Sequence, residues 1–281
     1  MKNINIHFAS VHRGPGKVVE NLVLGLDKLG RKISANAMPD SDTHQICLQP
    51  VQHLGLLPRQ TIMGPNLFVL PSEWGDFCLR FDHYVVPSNW VKLKYSEFNN
   101  LNHATIDTWP VGIDTDSWKK ETIRKNKILV YLKHRPEEDL KSVTSILDKM
   151  NLDFSVLQYG SYNESELYSA CLECDSCILI TGTESQGIAY MQILSMGLPC
   201  YVLNTDMWDF DKTYKKVPAT SVPYFSEECG RIVSTVDENS LSRFLNDYNS
   251  FNPRKFIVEN HSLVKSADDL IKIFEKYDNE K

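Results

Sequence analysis

The stretch "TGTESQGIAYMQILSMGLPCYVL", residues 181–203, decides how the chain folds. It continues the apolar run "CILI" and holds, in order, a Gly-containing turn, a helical run at about 186–196 and a second apolar run from Pro199. Two short apolar runs joined through a helix read as parallel strands, because the chain must cross back over the sheet before it can pair again. Ligands of open parallel sheets bind beyond the carboxyl ends of the strands, and Glu184 stands at such an end. The amides of Ser185, Gln186, Gly187 and Ile188 open the helix, where its dipole favours negative charge, and Gly187 permits close backbone approach.

Working outward, the alternation continues on both sides. Downstream of residue 117 come "ILVYLK" (128–133), a helix at about 136–150, "FSVLQYG" (154–160) and the helical "ESELYSACLECD" (164–175). The tail adds "VDENSLSRFLNDYN" (236–249), with Leu241 and Leu245 on one face, and "SADDLIKIFEKY" (266–277). Upstream, "INIHFAS" (4–10) precedes a helix in which Val18, Leu22, Leu26 and Leu29 recur at helical spacing before Gly30. After a loop-rich stretch with weak strands, "NLFVL" (66–70), "HYVVPS" (83–88) and "ATIDTWPVGID" (104–114) read as strand-bearing segments. The charged "DTDSWKKETIRKNK" (114–127) separates the halves, so the expected domains are 1–116 and 117–281, the last helix able to pack back on the first. The class is α/β, with two Rossmann-like α/β domains facing across a cleft.

Bulk properties narrow the function. At 281 residues, 42% hydrophobic and 23% charged, the chain suits two ordinary globular domains. Its net charge of −6 is spread rather than gathered, which argues against a general nucleic-acid binder. The seven cysteines are odd in number, the N-terminal run lacks the long apolar region of a signal peptide, and no apolar stretch suits a membrane span. A cytoplasmic location follows as the expectation, with peripheral membrane contact left open.

The segment around Glu184 resembles the retaining GT-B glycosyltransferases of the family-4 type, whose hallmark is Glu-x7-Glu followed by a "GxPV"-like turn. Glu184 takes the first acid position, Gln192 the second and "SMGLPCYVL" the turn and next strand; "HRGPGK", "VVPSNW" and "WPVGIDTDSW" match further family segments in the same order. The resemblance implies transfer of a sugar from a nucleoside diphosphate to a glycan or glycoconjugate hydroxyl. It implies a UDP- or GDP-linked co-substrate and no metal or other cofactor. On it, Glu184 accepts hydrogen bonds from sugar hydroxyls and Gln192 contacts the ribose, keeping one carbonyl acceptor. Lys133 or Arg135 neutralises the diphosphate, and Tyr159 or Tyr162 stacks on the base. Thr183, Ser185, Gln186, Gly187 and Ile188 complete the donor set, while Arg13, Gly14 and Gly16 form an acceptor or phosphate loop.

Family members usually present a His in the loop after the segment equivalent to "NLFVL"; here that loop reads "PSEWGDF", with Glu73 and no His. Glu73 is read as an acceptor-orienting group, a base, or a cap for a helix starting at Ser72. Three Asp-x-Asp triplets, at Asp40, Asp114 and Asp209, read as turns and caps, and Cys171, Cys174 and Cys177 as core packing. Two rival functions stay open: a catalytically silent nucleotide-sugar-binding protein, which Gln192 and the missing His favour, and a Rossmann-type NAD(P)-dependent oxidoreductase, which lacks the G-x-G-x-x-G spacing.

Overall fold

The computed structural model describes residues 2–9, 13–119, 125–208 and 217–279, apart from the side chains of Arg13, Asp76 and Phe77. The chain divides into two compact units, residues 1–114 with 260–281, and residues 115–259. Asp209 and Asp211 of the third triplet lie outside the described residues. Asp40 serves a turn, its carboxylate accepting from the Asp42 amide at 2.8 Å.

The first unit contains β1 (Asn3–His7), α1 (Arg13–Lys28), β2 (Ile33–Ala35), β3 (Thr43–Cys47), β4 (Ile62–Met63), β5 (His83–Val86), α2 (Asn89–Ser96) and β6 (Thr105–Thr108). Its strands form one parallel sheet in the order β2-β1-β3-β4-β5-β6. The order reverses between β1 and β3, the switch point where connections leave to opposite sides and a crevice opens at the carboxyl ends. In β1 the apolar Ile4 and Ile6 alternate with Asn5 and His7, yet all four are buried.

One expectation changes here. "NLFVL" is not a strand: β4 holds that place in the sheet, while the amides of Asn66 and Leu67 turn back to the carbonyls of Leu48 and Pro65, and Phe68 is 52% exposed. Gly14 and Gly16 open α1, as the Gly-rich text before the first helix implies, and Pro15 between them is tolerated where the helix has no amide partner to offer.

The second unit contains β7 (Lys127–Lys133), α3 (Glu137–Lys149), β8 (Asp153–Gln158), α4 (Glu164–Glu173), β9 (Ser176–Thr181), α5 (Ile188–Ser195), β10 (Cys200–Leu203), β11 (Met207–Trp208), β12 (Val217–Pro218), β13 (Gly230–Val233), α6 (Glu238–Asn246) and α7 (Pro253–His261), the last of which reaches the division. Its main sheet is parallel, ordered β13-β10-β9-β7-β8, with the reversal between β7 and β9. The near-continuous apolar text of β7 and β9 reflects burial on both faces, with Val130, Ile178 and Ile180 fully enclosed. Asn163 and Glu166 start α4 through a reciprocal capping box.

The final helix α8 (Leu263–Asn279) belongs to the first unit and packs on α1. A Cβ at Gly25 would stand 2.5 Å from the Leu263 carbonyl oxygen, so that crossing requires glycine. Among the described residues no helix is long and apolar enough to cross a membrane.

Candidate functional site

In the second unit the switch point brings three strand ends side by side: β7 ends at Lys133, β8 is followed by Tyr159, and β9 leads to Glu184. The Lys133 ammonium lies 2.6 Å from Glu184 Oε1 and 4.5 Å from the centroid of the Tyr159 ring. The pair is largely enclosed, the side chains being 17% and 12% exposed, so their attraction is screened less than on an open surface. His134 stands 5.3 Å from Tyr159, its pKa lowered by burial and then by Lys133, with Glu184 opposing the shift.

Backbone geometry fixes these groups. The Gly182 amide donates to the Lys133 carbonyl at 2.8 Å, and a Cβ on Gly182 would meet the His134 carbonyl oxygen at 2.9 Å. The Glu184 amide donates to the Thr220 carbonyl at 2.9 Å. Gly187 precedes α5 in the left-handed region with φ of 68°, and an added Cβ would lie 2.1 Å from the Tyr190 ring, so both conformation and space exclude a side chain. Between them both polar atoms of the Gln186 amide are buried and have no partner among the described residues. Buried amides are nearly always hydrogen-bonded, so an orphaned one beside a buried ion pair points to a ligand.

Two alternatives left open by the sequence separate here. Arg135 donates from Nε to Asp139 at 2.6 Å and from Nη1 to Thr205, tying the start of α3 to the segment after β10; Lys133 is the cation at Glu184. Tyr162 donates to or accepts from Tyr131 at 2.8 Å, and burial raises both phenols' pKa values, whereas Tyr159 is 37% exposed with its ring on Lys133. Thr183 and Ser185 line the turn and are half-buried.

Gln192 is buried and donates from Nε2 to Glu164 Oε1 at 2.7 Å. Sequence reading missed Glu164; it occupies the first turn of α4 and is exposed, so a carboxylate is present next to the amide that stands in the second acid position. The signal was the capping box, which places Glu164 at that helix start.

The remaining expected residues belong to the first unit. Glu73 ends a 3-10 turn, Pro71–Glu73, that begins one residue before Ser72, and no side chain caps it. Gly14 and Gly16 lie in α1, a Cβ at Gly14 would meet nothing within 4 Å, and the Arg13 side chain lies outside the description. Cys171, Cys174 and Cys177 are buried in the second unit. Among the described residues no group of three His, Cys, Asp or Glu is placed to hold a metal ion.

No protein-family model matches the chain, and no curated protein matches it. Solved structures do. The apo form of the lipopolysaccharide outer core galactosyltransferase WaaB is similar with a TM-score of 0.58 at 12% identity, over 98% of this chain and 100% of that one. Sucrose-phosphate synthase from Thermosynechococcus elongatus is similar with a TM-score of 0.56 at 12% identity, over 100% of both chains. Anabaena HepE, solved in complex with UDP and glucose, follows with a TM-score of 0.50 at 9% identity, over 98% of this chain and 100% of that one. These likenesses establish the fold: two parallel-sheet α/β units of the GT-B kind.

Proposed function

We propose that the chain is a metal-independent, retaining glycosyltransferase that moves a hexosyl or pentosyl group from a UDP- or GDP-linked donor to a carbohydrate or glycoconjugate hydroxyl. The observation that carries this reading is the Lys133 ammonium held between Glu184 and Tyr159 at the switch point, beside the unpartnered Gln186 amide. A nucleoside diphosphate offers each of these groups a partner. Its phosphates attract Lys133, a fixed cation that offsets the charge developing on the leaving group. Glu184, released from the ammonium, accepts hydrogen bonds from the sugar rim, and the Gln186 amide and the α5 N-terminus supply further polar contacts. Glu164, oriented by Gln192, accepts from ribose hydroxyls. The first unit, with Glu73, takes the acceptor.

Likeness in fold to a galactosyltransferase and to a protein solved with UDP and glucose supports the reading. The test is calorimetry and turnover with a panel of UDP- and GDP-sugars, with and without EDTA. A nucleotide sugar is expected to bind and to be consumed in EDTA, and Lys133→Met to weaken nucleoside diphosphate binding about tenfold or more, the loss of one charge-assisted contact. If no nucleotide sugar binds, the reading fails. Gln192 in place of an acid favours a second reading, a binding protein without transfer. Binding with neither hydrolysis nor transfer, and Glu184→Ala altering affinity alone, would select it.

A further inference from the structure

The first unit has its own switch point, between β1 and β3, and a chain of buried polar side chains runs to it. Asn5 faces Gln45 across that strand pair, and His7 ends β1 beside Cys47. Asn5, His7 and Gln45 are 1%, 0% and 7% exposed. Three apolar side chains of similar volume would fill this space without the desolvation cost that these groups incur, so packing alone does not account for them. What the chain supplies is a fixed direction for every proton.

The backbone of Ala37 sets the first link. Its amide donates to Asn5 Oδ1 at 3.2 Å and its carbonyl accepts from Asn5 Nδ2 at 2.9 Å, so the Asn5 amide has one possible orientation. Asn5 Nδ2 also donates to Gln45 Oε1 at 2.9 Å, while Gln45 Nε2 donates to the Thr43 hydroxyl, which orients Gln45 in turn. Gln45 Oε1 can only accept, so the His7 Nε2 that lies 2.8 Å away carries the proton. Burial lowers the His7 pKa, with the Gln45 hydrogen bond opposing and His53 adding to the shift, and a neutral His7 therefore bears its lone pair on Nδ1. His53 Nε2 stands 3.0 Å from that lone pair and must be its donor. In neutral His53 the second lone pair is then on Nδ1, which no described residue partners and which is not among the buried polar atoms.

We propose that His53 Nδ1 is a hydrogen-bond-accepting subsite for a hydroxyl of the sugar acceptor, with His7 as the positioning residue that fixes its tautomer. The inference rests on the transferase reading for the identity of the ligand as an acceptor. The subsite stands on the loop after β3, at the carboxyl ends of the strands flanking the switch point, where open parallel sheets bind ligands. A lone-pair acceptor selects a donor, so a hydroxyl fits it. His7 and Gln45 present no net charge to attract an ionic group.

The full chain, labelled with 15N, is examined by long-range proton–nitrogen correlation of the imidazoles, with methyl α-glucopyranoside and methyl β-galactopyranoside as probes. His7 and His53 are both expected as Nε2-protonated tautomers, and a glycoside is expected to move the His53 Nδ1 resonance saturably while His103 stays put. His7→Leu leaves His53 without its acceptor and is expected to give a mixture of tautomers. His53→Gln keeps an N–H facing His7 but has no acceptor at the Nδ1 position, and is expected to lose saturation transfer to the glycoside at least fivefold. An Nδ1-protonated His53, a resonance that neither glycoside moves, or equal saturation transfer in His53→Gln overturns the proposal. UDP and GDP binding, measured on the same samples, tells the two readings apart. Its absence with the His53 response intact sinks the transferase reading alone, and its presence without that response sinks this one.

Discussion

Glu184 and Lys133 hold each other, and on the proposed reading a donor phosphate has to compete with that carboxylate for the ammonium. Glu184→Gln removes the competitor. Free UDP or GDP is therefore expected to bind more tightly, severalfold by calorimetry, while sugar transfer falls by at least 100-fold, and the variant loses about 1–3 kcal/mol of stability because Lys133 is left half-buried without its countercharge. Unchanged nucleotide affinity would mean that Lys133 does not meet the phosphates. The Gln192–Glu164 contact yields an opposite lesson about restoring an acid. Gln192→Glu sets two carboxylates together at a buried position, and urea denaturation at neutral pH is expected to show a loss of about 1–3 kcal/mol. Adding Glu164→Gln exchanges acid and amide and is expected to recover most of it. A double variant no more stable than the single one would show that the contact has no energetic weight.

At the scale of elements, the turn from β9 into α5 depends on Gly187 for two separable reasons. Its left-handed backbone disfavours any side chain, and the Tyr190 ring fills the space a Cβ would need. Gly197, with φ of 83°, has the same kind of backbone but nothing within 4 Å of an added Cβ, so it serves as a control. Gly197→Ala is expected to cost about 1 kcal/mol, the conformational part, and Gly187→Ala about 2–4 kcal/mol, because the ring must also move. Thermal melts measure the difference, and nucleotide binding is expected to fall only in Gly187→Ala, whose turn carries Gln186. Equal costs would show that Tyr190 yields freely. The turn was legible as text, since Gly187 precedes an apolar helix; that its neighbour's amide lacks a partner was not, because hydrogen bonding is settled by groups distant in the chain.

For the molecule as a whole, acid acts unequally on the two units. Burial lowers the pKa values of His7 and His44, and that of His261 to about 4, in the first unit, against that of His134 in the second. Their charged forms are favoured in the unfolded chain, so the stability tied to them is complete above about pH 6.5 and is lost as pH falls through the window down to about 4. His261 alone accounts for about 3 kcal/mol at the lower end. Hydrogen exchange at pH 4.5 against 7.5 is expected to lose more protection in residues 1–114 with 260–281 than in 115–259, and His261→Gln to flatten the dependence; uniform loss would contradict it. The sequence by itself determined the alternation of strands and helices, the parallel sheets that follow from crossover connections, and the position of Glu184 at a strand end, since these depend on local pattern and chain connectivity. Tertiary structure alone decided that Lys133 rather than Arg135 meets Glu184, that Gln192 is committed to Glu164, and that the polar Asn5 and His7 of β1 face a buried network instead of solvent. Each of these is a pairing of groups from separate strands or helices, and a side chain's partner is fixed by the sheet order that brings those elements together, which no single stretch of sequence contains.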